Sequence, residues 1–268
     1  MRGAETKQSS MLCLMSPEAR VPASHPLRSV KQFADQALSE LSPVFDAMYS
    51  ATGRPSIPPE RLLKATLLMA LYTVRSERQF CEQLDYNLLF RWFLDMDMVE
   101  ASFDATAFTR NRVRLLAHDV AGQFFRTVVE QARAERLMSH EHFTVDGTLI
   151  DAWASLKSLG ADRGYDTGDF VRECRARNVT PHVTQYMPHR SAIDARTTRP
   201  SGYAVSQRIR KRVEEVFGWM KTVGNFRKTR YRGLAKSRIA ALMVAAAYNL
   251  LRMAKLRLNG LARHTALT

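Results

Sequence analysis

The chain has 268 residues, 46% of them apolar, with 40 Lys and Arg against 26 Asp and Glu, a net charge of +14. That apolar share excludes wholesale disorder, and the length suggests two domains or one with appendages. The longest largely apolar run, Ile239 to Leu251, falls short of the roughly 20 residues that span a bilayer, and Met11 to Met15 is too short for a signal-peptide core. The expected compartment is therefore cytoplasmic. Cys13, Cys81 and Cys174 are far apart and form no Cys-x-x-Cys, which argues against a disulfide framework or zinc ribbon.

In chain order, residues 1–27 carry Pro17, Pro22 and Pro26 and read as an extended N-terminal arm. Lys31 to Tyr49 is helical by its apolar spacing, with a break at Pro43. Pro58 and Pro59 suit the first turn of a helix over Glu60 to Val74, which is apolar nearly all round and so belongs at the centre of its domain. Glu77–Leu84 and Leu88–Leu94 read as two short helices about a polar break, compatible with a helix-turn-helix or with plain packing. Ser102 or Asp104 can cap the next helix, in which Leu116, Val120, Phe124 and Val128 recur every four residues as far as Arg136. Residues 28–139 thus form a helical N-terminal domain.

At His142 the texture changes. His142 to Asp146 is a short strand followed by glycine, Asp166–Arg177 is a helix, and Val179–Val183 a strand. Ser206–Lys221 is a helix with Val213, Val216, Phe217 and Met220 as its buried stripe, and Ala235–Leu258 is the last helix. The fold class is mainly α with a small α/β part. Its divisions are 1–27, 28–139, 140–234 and a C-terminal helix and tail over 235–268.

The charge is concentrated. Residues 201–268 hold 15 Lys and Arg, opposed only by Glu214 and Glu215. Such a block attracts polyanions, and the interleaved Phe217, Trp219, Phe226 and Tyr231 favour nucleic acid over a lipid surface. Candidate DNA-binding residues are Arg210, Lys211, Arg212, Lys221, Arg227, Lys228, Arg230 and Arg232. Three acids stand out: Asp146 at a strand end, Asp162 in Gly-Ala-Asp-Arg-Gly-Tyr, and Glu214 in the basic block. Arg210, Glu214, Phe217 and Lys221, spaced by four, three and four, share one helix face. Converging carboxylates hold Mg²⁺ or Mn²⁺ through oxygen, and two such ions drive phosphoryl chemistry. Asp166 competes with Asp162 as a ligand but reads better as a helix cap, with Thr167 the alternative cap. His140 and His142 have no third zinc ligand nearby, and neither a phosphate-binding Gly-x-x-x-x-Gly-Lys loop nor a Gly-x-Ser-x-Gly elbow occurs.

These motifs resemble the DDE transposases of the insertion sequence 5 family. Ser16-Pro-Glu, Val21 to Leu27 and Glu77-Arg-Gln-Phe-Cys-Glu-Gln-Leu84 resemble the family's N-terminal parts. Phe143-Thr-Val-Asp-Gly-Thr-Leu-Ile150 resembles its first-aspartate strand, and Ala161-Asp-Arg-Gly-Tyr-Asp166 its second-aspartate motif. Arg210 to Lys221 followed by Arg227 to Gly233 resembles its Tyr, Arg, Glu, Lys signature, with Gln207 where Tyr often stands. The resemblance implies a ribonuclease-H-like catalytic domain, DNA as element ends and target, two Mg²⁺ or Mn²⁺ ions on a catalytic triad of Asp146, Asp162 and Glu214, and association with further copies of the chain. It also implies a loss. The family places two antiparallel strands, a helix and a parallel strand between its aspartates, and only Gly147 to Ala161 separate them here. An internal deletion near Ser158–Leu159, leaving a truncated and inactive catalytic domain, is the expectation. The alternative is a non-catalytic DNA-binding remnant that competes with or represses an intact enzyme.

Overall fold

The computed structural model describes residues 16–49, 56–138, 142–144, 157–186, 190–228, 231 and 233–265. The first of these already depart from an extended arm: Pro17–Arg20 forms one helical turn, α1, capped by Ser16 and packed on a later helix. Arg28 fastens it by donating to the Pro22 and Val21 carbonyls at 3.0 and 2.8 Å.

α2 (Leu27–Glu40) turns Val30, Phe33, Ala34, Ala37 and Leu38 inward at helical spacing. It ends at Leu41, and Pro43 falls in the first turn of α3 (Ser42–Met48), where its missing N–H costs no bond. α4 (Pro59–Leu71) begins on the same device and buries residues on every side, Leu62, Leu63, Leu67 and Leu68 among them. It stops where Thr73 takes a φ of +54°.

α5 (Glu77–Tyr86) and α6 (Leu88–Phe93) are separated by Asn87, whose side chain accepts from the Phe90 amide at 3.2 Å and caps α6. A recognition helix must present side chains to bases. α6 instead buries Phe90, Arg91, Trp92 and Phe93, so plain packing is the structural role of this pair. Phe80 stacks on Phe90 at 5.4 Å, and Arg91 donates to the carbonyls of Leu84 and Asp97 at 2.6 and 2.7 Å and to that of Glu100. Asp104, and not Ser102, caps α7 (Ala105–Ala117), accepting from the Thr106 and Ala107 amides at 2.8 and 3.1 Å. The four-residue repeat that reads as one helix is broken at Asp119, which adopts the left-handed region, before α8 (Val120–Ala134).

The remaining wall of this core comes from the far end of the sequence. The last helix, α12 (Leu234–Thr265), packs on α2, α4, α7 and α8. It buries Met243, Val244, Ala246, Ala247, Leu250, Met253 and Ala254. The helical domain is therefore closed by a segment that the sequence sets apart as a tail. Over Leu234–Asn259 this helix is long and apolar enough to cross a membrane by length and composition. Its apolar centre, however, is the lining of a protein core.

Between these parts lies a sheet of three parallel strands, β1 (His142–Thr144), β2 (Ser158–Ala161) and β3 (Thr180–Val183), in that spatial order. β1 and β3 fall where the sequence places strands. β2 does not: a run containing Gly160 and only four residues long gives no alternation to read. α9 (Gly168–Ala176) crosses from β2 to β3, and α10 (Ala195–Thr198) leads into α11 (Ser201–Lys221), which lies against β2 and β3. Among the described residues this part has a core of its own in Ala161, Val171, Val183 and Ile193.

Candidate nucleic-acid and metal site

In open parallel sheets, ligands collect at the carboxyl ends of the strands. Asp162 directly follows β2 and is half-buried. Its Oδ1 accepts from the Gly164 amide at 2.8 Å and caps a 3-10 turn over Arg163–Tyr165. Asp166 caps no helix, contrary to the expectation from sequence; Thr167 caps α9. Asp166 instead accepts from the Tyr186 and Ala192 amides at 2.8 Å each, tying the loop after β3 back to β2. Burial works against this carboxylate, but bonds from Tyr186, the Ser191 hydroxyl, Ala192 and Ile193 prevail and hold its carboxyl below the usual aspartate value.

That direction fixes a pH dependence. A depressed folded-state value stabilises the fold above the unfolded value of about 3.9, and the contribution is lost as pH falls through the folded value. Asp166→Ala is expected to cost about 1–3 kcal/mol at neutral pH. The difference from the unaltered chain should shrink towards pH 3 in urea titrations. A constant difference across that range would contradict the assignment.

α11 begins at Ser201, five residues before the predicted start, and those residues dock it. Tyr203 donates its hydroxyl to the Val183 carbonyl at 2.9 Å. Gln207 donates to the His182 carbonyl at 2.7 Å and accepts from the Thr184 hydroxyl at 2.6 Å. The residue in the place of the signature tyrosine is thus a helix-to-strand pin. The contacts of Tyr203, Thr184 and Gln207 are docking features that the motif did not supply. The signal was present nonetheless, since positions 203, 207, 210 and 214 continue one stripe along the helix.

Arg210 and Glu214 follow on that stripe. Arg210 is half-buried, and its Nε is enclosed with no hydrogen-bond partner among the described residues. Glu214 is exposed, about 10 Å beyond Gln207 along the axis. Lys211, Arg212, Lys221, Arg227 and Lys228 are exposed, as phosphate contacts require, and Lys221 sits in the last turn of α11. The expected buried stripe is shallower than its spacing suggests: Val216, Phe217 and Met220 are only half-buried, and Trp219 meets Tyr248 of α12 edge-on at 5.5 Å.

Asp162 and Glu214 therefore lie on elements packed against each other. Asp146, Arg230, Arg232 and His140 fall outside the described residues. Among the described residues, no three His, Cys, Asp or Glu side chains gather as a metal-binding set. Cys81 and Cys174 are buried, and burial pushes both thiols up, to about 11 for Cys81, so neither is a poised nucleophile.

Residues 15–114 match a family model described as a transposase domain (DUF772), and residues 138–250 match that of a transposase DDE domain. No curated protein and no solved structure matches the chain. The second match runs through the sheet, α11 and into α12, so it includes both Asp162 and Glu214. The chain thus carries a helical transposase domain followed by a transposase DDE domain built on a parallel sheet and a basic helix.

Proposed function

We propose that this chain is a shortened transposase of the insertion sequence 5 type, which binds DNA through its basic C-terminal quarter and whose strand-transfer chemistry is defective. The observation that carries the reading is the strand pairing. β1 and β2 are parallel neighbours with an offset of 16, His142 opposite Ser158 and Thr144 opposite Gly160. The same offset of 16 separates Asp146 from Asp162. Residues 145–157 alone connect the two strands, enough for one crossover but not for two further strands as well. The pairing thus supports a ribonuclease-H-like sheet that retains its parallel half, with the internal deletion between the aspartates.

Asp146, Asp162 and Glu214 form an all-carboxylate donor set, the chemistry of Mg²⁺ or Mn²⁺, and the exposure of Glu214 leaves it reachable by a hydrated ion. A bound pair of such ions would supply activation of an attacking oxygen and stabilisation of a leaving one. Arg210 and Lys221, flanking Glu214 on the same helix face, hold backbone phosphates and carry no sequence information themselves. Lys211, Arg212, Arg227, Lys228, Arg230 and Arg232 extend this contact.

The second reading is a DNA-binding protein that competes with an intact transposase. Commitment of Asp162 Oδ1 to the Gly164 amide favours it. Incubation of the purified chain with DNA bearing element ends and Mn²⁺ tests both. The expected result is salt-sensitive binding without strand cleavage. Robust cleavage that disappears in Asp146→Asn overturns the defect, and absence of binding overturns both readings.

A further inference from the structure

The turn after α11 carries two exposed cations, Arg227 and Lys228, between two anchors. On one side Phe226 packs on the helical core, and the Thr73 hydroxyl of the helical domain donates to the Val223 carbonyl at 2.8 Å. Gly224 lies so close to α12 that a Cβ there would come within 2.5 Å of Val244. On the other side is a polar clamp from α7. The Arg112 guanidinium lies over the Tyr231 ring at 4.5 Å and donates to the Tyr231 hydroxyl at 3.3 Å. Arg112 is held in turn by an ion pair with Glu77 of α5, and Glu77 also accepts from the Thr109 hydroxyl. Both members of the ion pair are about 85% covered, with side-chain exposures of 16% and 15%. The clamp borders a cavity of about 80 Å³ whose wall includes Phe108, Phe226, Lys228 and Lys236.

We propose that Arg112, oriented by Glu77 and stacked on Tyr231, is a positioning residue that fixes the basic turn, so that the helical domain determines where Arg227 and Lys228 meet a DNA backbone. This rests on the DNA-binding reading above. A planar guanidinium suits the task because it can pair with a carboxylate and stack on a ring together. Cations held between fixed anchors lose less freedom on binding than cations on a loose turn.

The experiment uses the full chain and three variants. Tyr231→Leu removes the ring, Tyr231→Phe keeps it and loses the 3.3 Å bond, and Lys228→Ala removes a cation. Two readouts are taken: trypsin cleavage after Arg227 and Lys228, and affinity for duplex DNA at several salt concentrations. Tyr231→Leu should raise cleavage there and weaken DNA binding, each by about tenfold. The slope of log affinity against log salt should stay unchanged, because no phosphate contact is lost. Tyr231→Phe should stay within about twofold of the unaltered chain, since the stacking survives. Lys228→Ala should instead lower the slope. A merely structural contact would lower the melting temperature and leave the other readouts where they were. Unchanged cleavage in Tyr231→Leu overturns the clamp, as does raised cleavage with unchanged affinity. Failure of the unaltered chain to bind DNA overturns the underlying reading, and with it the role assigned to the clamp in DNA contact.

Discussion

A chain ended at Gly233 is expected to lose the cooperative fold of its helical domain, although every residue of α2, α4 and α8 remains. Met243, Val244, Leu250 and Met253 are at most 7% exposed, and each stabilises by about 1.5–3 kcal/mol when buried. Their loss approaches or exceeds the 5–15 kcal/mol by which domains are typically stable. The faces of α2, α4 and α8 now covered by α12 would also meet water. Ala246, Ala247 and Ala254 are essentially fully buried, so the helix approaches its neighbours closely and no other segment of the same length need fit. Circular dichroism during urea titration should show a broad, non-cooperative change for the shortened chain. In the full chain, Leu250→Ala should cost about 3–5 kcal/mol and lower the urea midpoint with little change in slope. A shortened chain that unfolds in one sharp transition would show that the helical domain is closed without α12.

The second large effect is expected at Arg91. Its side chain is 3% exposed and satisfies the carbonyls of Leu84, Asp97 and Glu100, joining the end of α5 to the loop after α6. Arg91→Ala removes a buried cation, leaves three carbonyls without their donor and opens space where the side chain was buried. A loss of about 3–5 kcal/mol follows from the costs of unsatisfied buried groups and of the cavity. Arg91→Met, which fills much of the volume but donates nothing, should recover only the cavity part. Because the bonds are buried, the difference between variants should change little between low and high salt. Thermal unfolding of the three proteins at two salt concentrations measures both points. Equal stability of Arg91→Met and the unaltered chain would show that these carbonyls are satisfied in another way.

Local chemistry was the part of the fold that could be read in advance. Pro58 and Pro59 mark the start of α4, Asn87 separates α5 from α6, and the switch from helical spacing at His142 announces a strand. Asp119 broke a repeat that Leu116, Val120, Phe124 and Val128 otherwise carry without interruption, because a left-handed residue leaves the apolar spacing intact. β2 is illegible because four residues with a glycine carry no pattern, and Asp166 reads as a cap because its partners, Tyr186 and Ala192, lie twenty or more residues away. Long-range docking was the least legible. The apolar centre of α12 marks it as packing surface, but nothing in its spacing says that it packs on α2, α4 and α8. For the site, Asp162 and Glu214 stand out in the sequence as acids in a distinctive setting, whereas the parallel pairing of β1 with β2 leaves no mark there. The Arg112–Tyr231 contact leaves no trace in the sequence at all.

The place of α12 also sets the order of events during synthesis. The helices that need it are made first, yet their shared face stays open until the chain has grown from residue 134 to residue 254. At about 5–20 residues per second that interval is roughly 6–24 seconds. During it, the nascent chain exposes the inward faces of Phe33, Leu67 and Phe124 to whatever binds greasy segments at the ribosome. Stop codons or frameshifts late in the message are therefore expected to be as damaging as early ones.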